Sequence, residues 1–366
     1  MEGERRHRRP AGLHGRAERL LDAGLTTLVV ALTAGWVWAI AFAPASAATI
    51  LGDRGSLART VTAALTEPGA PSAAFITDAA LDAMTGGWRG ASGRLRARFV
   101  PAGSPVPLPV DSGHVVLTRP GGAAGDTIPV PTQAGIFSVA LAIGEGVRSV
   151  ANFSVISLRP FSDKRNGRIG GYMIGSWPGE RGAKLRERYG NPSGFIEVTP
   201  QNADTPVSEH FTLRDFLTKG QANTWPKYLV LETRLVDKLE LVLAELEKEG
   251  IDTRGVVVMS GFRTPSYNAG GGNTAGRANL SRHMYGDASD IYIDNDHNGT
   301  MDDLNHDGKL DIRDSRVIEA AAERVERAHP ELVGGVGVYP SCCGHGPFIH
   351  IDTRGYRARW VGTSGG

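Results

Sequence analysis

Ser281-Arg282-His283-Met284-Tyr285-Gly286-Asp287-Ala288-Ser289-Asp290 sets an imidazole and a carboxylate seven residues apart, with Gly286 between them. At that spacing the two cannot share one helical face, as the histidines of H-E-x-x-H do. A turn running into a strand fits: Asp290 opens a strand through Ile291 and Ile293. Two later segments complete the set, Gly334-Gly335-Val336-Gly337-Val338-Tyr339 and His350-Ile351-Asp352. Phe348, His350 and Asp352 alternate onto one face of a second strand. Adjacent strands would bring His283, Asp290 and His350 together. Two imidazoles and a carboxylate suit a catalytic zinc, which takes three protein ligands and keeps a fourth position for water. One Zn²⁺ in a metallohydrolase is the expectation.

Upstream, the buried-strand candidate Val256-Val257-Val258-Met259 delivers Ser260-Gly261-Phe262-Arg263-Thr264-Pro265. That run, then Ser281-x-His283-x-x-Gly286-x-Ala288-x-Asp290 and a terminal His350, resembles the zinc D-Ala-D-Ala peptidases and peptidoglycan endopeptidases. These belong to the lysostaphin, D-Ala-D-Ala peptidase and Sonic hedgehog superfamily. The resemblance covers roughly 208–360, about the size of one domain. It implies an α+β fold, a hedgehog/DD-peptidase-like zinc domain with an antiparallel sheet and flanking helices, here preceded by a small β-rich domain. It implies Arg263 at the substrate carboxylate or scissile carbonyl, with Ser281 and Tyr339 also at the substrate. The function implied is an exported zinc metallopeptidase that cleaves D-amino-acid bonds of peptidoglycan stem peptides, as a D,D-carboxypeptidase or a cross-link endopeptidase. From other classes, a zinc- and calcium-containing wall-binding module without turnover and a calcium-dependent adhesion protein are the competing readings.

One departure from the family pattern concerns the general base. Members place a Glu three residues before the last zinc histidine, or a His two before it; here those positions hold Pro347 and Phe348. Asp352, on the strand face of His350, and His345, in a Gly-rich turn, are the remaining candidates. Asp352 fits equally well as a carboxylate that orients a zinc histidine. Geometry decides between these roles.

After Asp290 the chain carries Asp303-Leu304-Asn305-His306-Asp307-Gly308-Lys309-Leu310-Asp311-Ile312-Arg313-Asp314. The spacing follows a calcium loop, with Asp303, Asn305, Asp307, the Lys309 carbonyl, Asp311 and Asp314 as oxygen ligands and Gly308 at the sharp turn. It resembles dockerin and EF-hand loops, except that the twelfth position is Asp rather than Glu. Asp294-Asn295-Asp296-His297-Asn298-Gly299 matches less well and its loop would share Asn305. One structural Ca²⁺ in an insertion spanning 294–314 is therefore expected.

The 366 residues leave room for two domains and a targeting segment. Six arginines among the first 22 residues, an apolar stretch at 23–43 and Pro44-Ala45-Ser46-Ala47-Ala48 read as an export signal, cleaved or retained as a transmembrane anchor. The expected location is periplasmic, cell-surface or secreted, with membrane contact if the segment is kept. Removing the six arginines and four acids of positions 1–47 leaves 34 basic against 35 acidic residues. That balance argues against nucleic acid as a partner.

Domain boundaries are expected at 1–48 for the signal or anchor, 49–130 for a tether with short strands, 131–200 for a β-rich region and linker, and 208–360 for the zinc domain. In the β-rich part, Phe137, Val139, Leu141 and Ile143 alternate with smaller residues, and Gly144-Glu145-Gly146 turns the chain into a second strand. A small, immunoglobulin-like sandwich is one reading. Trp177 suits either a core or a sugar-stacking surface. Positions 232–249 read as an amphipathic helix with Leu235, Leu239, Val242 and Leu246 on one face. Cys342 and Cys343 are adjacent, as a vicinal bridge or as two thiols. No S-x-x-K or G-x-S-x-G supports serine chemistry.

Overall fold

Strands built on alternating apolar residues dominate the first half of the structure. The computed structural model describes residues 81, 87–106, 113–118, 131–143, 146–183, 185–272, 277–342 and 344–362. The export segment lies outside the described residues, as do the Gly144-Glu145 turn, Asn273 and Cys343.

Strands β1 (Ala97–Pro101), β2 (Gly113–Thr118), β3 (Gly135–Ile143) and β4 (Gly146–Pro160) form one sheet with β7 (Gly194–Val198) and β8 (Lys227–Leu229). The order is β2-β3-β4-β7-β8, with β1 parallel to β4 and the other neighbours antiparallel. The β3–β4 pair is the hairpin that the alternation predicts, with Phe137, Val139 and Leu141 buried and Ser138 exposed. Those side chains pack with Trp88, Val115, Leu117, Phe153 and Val155 into an apolar core of their own. A small antiparallel pair, β5 (Arg168–Ile169) and β6 (Tyr172–Met173), precedes β7.

The second sheet holds β9 (Val256–Ser260), β10 (Ala288–Ile293), β11 (Gly335–Tyr339), β12 (Phe348–Asp352) and β13 (Ala358–Val361), in the order β13-β11-β12-β10-β9. It is mixed rather than purely antiparallel, because β13 runs parallel to β11. Helix α1 (Thr233–Lys248) buries Leu235, Leu239, Val242 and Leu246, the stripe read from sequence. The short helix α2 (Pro265–Gly270) follows β9, and α3 (Ile312–Ala328) buries Ile318, Ala321, Ala322 and Val325. Helices α1 and α3 pack together, and α3 covers β11 and β12. There it meets Val336, Val338, Ile349 and Ile351, which join the core with Ile291 and Ile293 of β10. Burying each such side chain contributes about 1.5–3 kcal/mol. An α+β fold with mixed sheets and flanking helices is thus established.

Two expectations change. Among the described residues no helix is long and apolar enough to cross a membrane, which corrects the expectation of a transmembrane protein. Each long helix buries one side and carries charged residues on both its exposed and its buried positions, so neither is apolar all round. Trp177 is not a surface for sugars: it is fully buried, and its Nε1 donates to the carbonyl of Met284 at 2.9 Å.

Candidate metal centre

Strand register builds the centre. Asp290 of β10 lies directly opposite His350 of β12 and, on its other side, opposite Ser260 of β9. His350 in turn faces Gly337 of β11, which faces Trp360 of β13. One row therefore crosses all five strands. Asp290 sits mid-strand rather than opening β10, since pairing begins at Ala288. Gly337 is glycine for a steric reason: a Cβ there would run into the Trp360 indole, which lies 5.2 Å from the His350 ring.

His283 arrives from a 3₁₀ turn, Arg282–Tyr285, that ends at Gly286 in the left-handed region (φ +70°). A side chain at Gly286 would be strained there and would collide with the Val230 carbonyl. The turn is held by Arg282, whose guanidinium pairs with Asp287 and donates to the Arg188 carbonyl at 2.8 Å.

The three ligand atoms converge. His283 Nε2 is 3.2 Å from His350 Nδ1 and 3.2 Å from Asp290 Oδ1, and His350 Nδ1 is 2.9 Å from Asp290 Oδ1. Four ligands placed tetrahedrally at zinc's usual bond lengths stand ~3.3 Å apart. The outer ring atoms are already engaged: His283 Nδ1 with the Gly261 carbonyl at 2.7 Å, His350 Nε2 with Asp352 Oδ2 at 3.0 Å. A carbonyl accepts only, so His283 Nδ1 carries the proton and its Nε2 presents a lone pair inward. With His350 donating to Asp352, its Nδ1 does the same. Three electron pairs then face one another in a buried space, an arrangement a cation satisfies. The donor set fits a zinc-like ion, and His283, Asp290 and His350 form a group that can hold one.

The protonation tendencies of His283 and Asp290 agree, whereas the carboxylates beside His350 favour its protonated form until a cation takes the place of that proton. Burial, foremost, pushes the His283 imidazole down to about 4. Burial would raise the Asp290 carboxyl, but His283, Arg263 and His350 reverse that and hold it well below the usual range. Burial lowers His350, yet its bonds to Asp290 and Asp352 bring the net shift upward.

Arg263 stands at this cluster: its Nη2 donates to Asp290 Oδ2 at 2.6 Å and its Nε to Ser260 Oγ at 2.8 Å. Asp352 lies behind His350. It is fully buried, its Oδ1 accepts from Gly335 N at 2.7 Å, and Arg354 grips both its oxygens. Burial would raise its pKa; His350 and Arg354 more than offset this and depress it. Behind the strand end, Lys238 of α1, itself fully buried, donates to the Asp352 carbonyl at 2.8 Å and to Glu326 of α3 at 2.7 Å. Sequence reading missed Lys238 and Glu326, charged residues at buried positions of their helices. It missed Trp360 too, whose place follows only from register.

The cluster opens into a cleft of about 970 Å³ lined by Arg263, Ser281, His283, Asp290, Tyr339, His345 and His350. Asp352 is not among the lining residues. Tyr339 stacks on Phe348 with ring centroids 4.4 Å apart, and its hydroxyl accepts from Trp360 Nε1 at 2.9 Å. His345 Nδ1 meets the Gly346 carbonyl at 2.8 Å, and the ring stands edge-on to Phe348. Nearby, Cys342 is disulfide-bonded.

The expected calcium ligands behave differently. Asp303 accepts from the backbone N–H groups of Asp307 and Gly308, and Asn305 from that of Asp307. Asp311 pairs with Arg313, and Asp307 with Arg313 as well. Asp314 accepts from Leu304, Asn305 and Asp311 N–H and closes the capping box of α3. Among the described residues, the second acidic group that can hold an ion is instead Asp294, Asp296 and Asp302, in the weaker of the two sequence matches. Gly299, Thr300 and Met301 of that loop form part of the cleft wall.

Compared with known proteins, the chain matches no family model, no curated protein and no solved structure.

Proposed function

We propose that the chain is an exported zinc peptidase of the D-Ala-D-Ala peptidase and hedgehog type, cleaving D-amino-acid bonds of peptidoglycan stem peptides. The observation that carries this reading is the convergence of three inward-facing lone pairs at the base of an open cleft. His283, Asp290 and His350 would hold a zinc ion, which would supply a water of lowered pKa and polarise a carbonyl. Arg263, beside Asp290, presents charge to the oxygen that becomes negative during attack. His345, on the cleft wall, takes and returns the proton. Asp352 keeps the His350 tautomer and ring orientation, because both its oxygens are occupied behind that ring. Ser281 and Tyr339 line the cleft where a peptide would lie. A structural cation in the 294–314 insertion would stiffen the wall formed by Gly299 to Met301.

The test is mass spectrometry of cross-linked muropeptides before and after incubation with zinc-loaded protein, with His283→Ala as control. Loss of a terminal residue or opening of cross-links by the wild type alone supports the reading. A wall-binding module without turnover is the competitor, favoured by Pro347 and Phe348 at the positions where the family carries its base. Retained muropeptide binding with no cleavage decides for the module.

A further inference from the structure

The cleft holds more positive charge than the metal centre employs. Lys219, Arg263, Arg277, Arg282 and Arg354 line it, against one carboxylate, Asp290. Since the whole chain carries a net charge of only +1, this excess is local. Three of the five cations are matched: Arg263 by Asp290, Arg282 by Asp287 and Arg354 by Asp352. Arg277 and Lys219 have no carboxylate partner among the described residues.

Arg277 is also held in place before any ligand arrives. Its Nη1 donates to the carbonyls of Tyr267, at 2.9 Å, and Gly271, at 2.6 Å, around the C-terminal end of α2. Its guanidinium carbon lies 5.0 Å from the centroid of the Tyr267 ring. The same ring packs on Gly220, where an added Cβ would stand 3.5 Å from it, and so adjoins Lys219. Tyr267, Arg277 and Lys219 all line the cleft, with the residue after Lys219 against the Tyr267 ring. A guanidinium ordered in advance loses little further freedom on binding, and its bonds to an anion are charge-assisted.

We propose that Arg277 and Lys219 form an anion subsite that takes a carboxylate of the substrate other than the group at the metal centre. This rests on the peptidase reading of the same cleft and narrows its substrate to peptides with a free carboxylate away from the cleaved bond. An acidic or diamino-acid residue of a stem peptide supplies one. A phosphate of a wall polymer offers the same chemistry, so the experiment separates the two sources.

Matched stem peptides, one with that carboxylate free and one with it amidated, are titrated calorimetrically into the His283→Ala protein, which retains the subsite. Inorganic phosphate is titrated alongside. The free peptide is expected to bind about tenfold more tightly than the amide, the worth of one hydrogen-bonded charge. Arg277→Gln and Lys219→Gln, each introduced into that protein, are expected to shrink the ratio while leaving the affinity for the amide unchanged. Lys219 is exposed, so its variant reads out even if Arg277→Gln, which also removes bonds to α2, fails to fold. Equal affinity for the two peptides, or a ratio indifferent to the variants, overturns the subsite. Tighter binding of phosphate than of the free peptide overturns the carboxylate assignment. Zinc-loaded wild type is assayed on the same pair: a preserved ratio without cleavage removes the peptidase reading and leaves the subsite, whereas cleavage with equal affinities does the reverse.

Discussion

The two sheets use the same alternation of side chains to opposite ends. In the β2–β3–β4 part of the first, the inward face is Val115, Leu117, Phe137, Val139, Leu141 and Val155, apolar throughout. In the second, one face of β10 and β12 carries Asp290, His350 and Asp352, all buried, the first two at the cleft and the third behind His350, while Ile291, Ile349 and Ile351 fill the other. An apolar face needs only volume and shape. A buried polar face needs a partner for every atom, because an unpaired charge or lone pair there is costly. The first sheet should therefore fail by losing packing, and the second by losing partners.

The largest contrast comes from the metal itself. His283→Ala, or chelation of the wild type, is expected to lower muropeptide cleavage on the order of 10³-fold, about 4 kcal/mol in the barrier. Added zinc should restore the chelated protein and not the variant, with metal content measured in parallel. Unchanged turnover would dissolve the distinction between the sheets. Next, Leu141→Ala in β3 is expected to cost about 2–5 kcal/mol of unfolding free energy. Denaturation should show this with zinc stoichiometry unaltered, and Leu141→Met should cost less than about 1.5 kcal/mol.

Smaller again, Asp352→Asn should keep the fold and weaken zinc affinity about 10–100-fold, since His350 loses the carboxylate that orients it. Competition with a zinc-binding dye measures it. If cleavage instead collapsed with affinity intact, Asp352 would be the proton carrier and His345 would not.

The smallest effect lies where the segment between β7 and β8 meets α1. His210 Nδ1 sits 2.9 Å from buried Glu240, whose hydrogen bond raises the imidazole pKa against the opposing effect of burial. A raised folded pKa contributes stability that is complete below the unfolded value near ~6.5. That contribution fades as pH rises through the folded value. Melting temperature should fall slightly between these two points in the wild type, and this slope should be missing in His210→Gln.

Much of the centre was legible because its chemistry is written in residue type and short spacing. His283 and Asp290 flank a glycine that must adopt a left-handed turn, and His350 lies on a strand that alternates cleanly. Helix α1 announced itself by a stripe that the core indeed buries. What escaped was whatever depends on partners distant in the chain. Lys238 reaches Asp352 across 114 residues, and Arg277 meets Tyr267 through the close of α2. In the acidic insertion both sequence matches turn carboxylates onto their own backbone, Asp303 onto Asp307 and Gly308 and Asp294 onto Asn298 and Gly299, and the poorer match also brings Asp294, Asp296 and Asp302 within reach of one ion, a convergence that spacing alone did not reveal.

Sequence by itself determined the ligand types, the alternation that puts them on one face, the glycine turn that precedes them and the charge balance of the chain. These are local properties, set by covalent geometry and side-chain chemistry over a few residues. Tertiary structure alone decided that Asp290, His350, Gly337 and Trp360 share a single row, that Asp352 lies behind His350 rather than in the cleft lining, and that Arg277 and Lys219 enter that lining with no carboxylate partner among the described residues. Register and burial depend on which strands pair and which helices cover them, and those choices are made by the whole core at once.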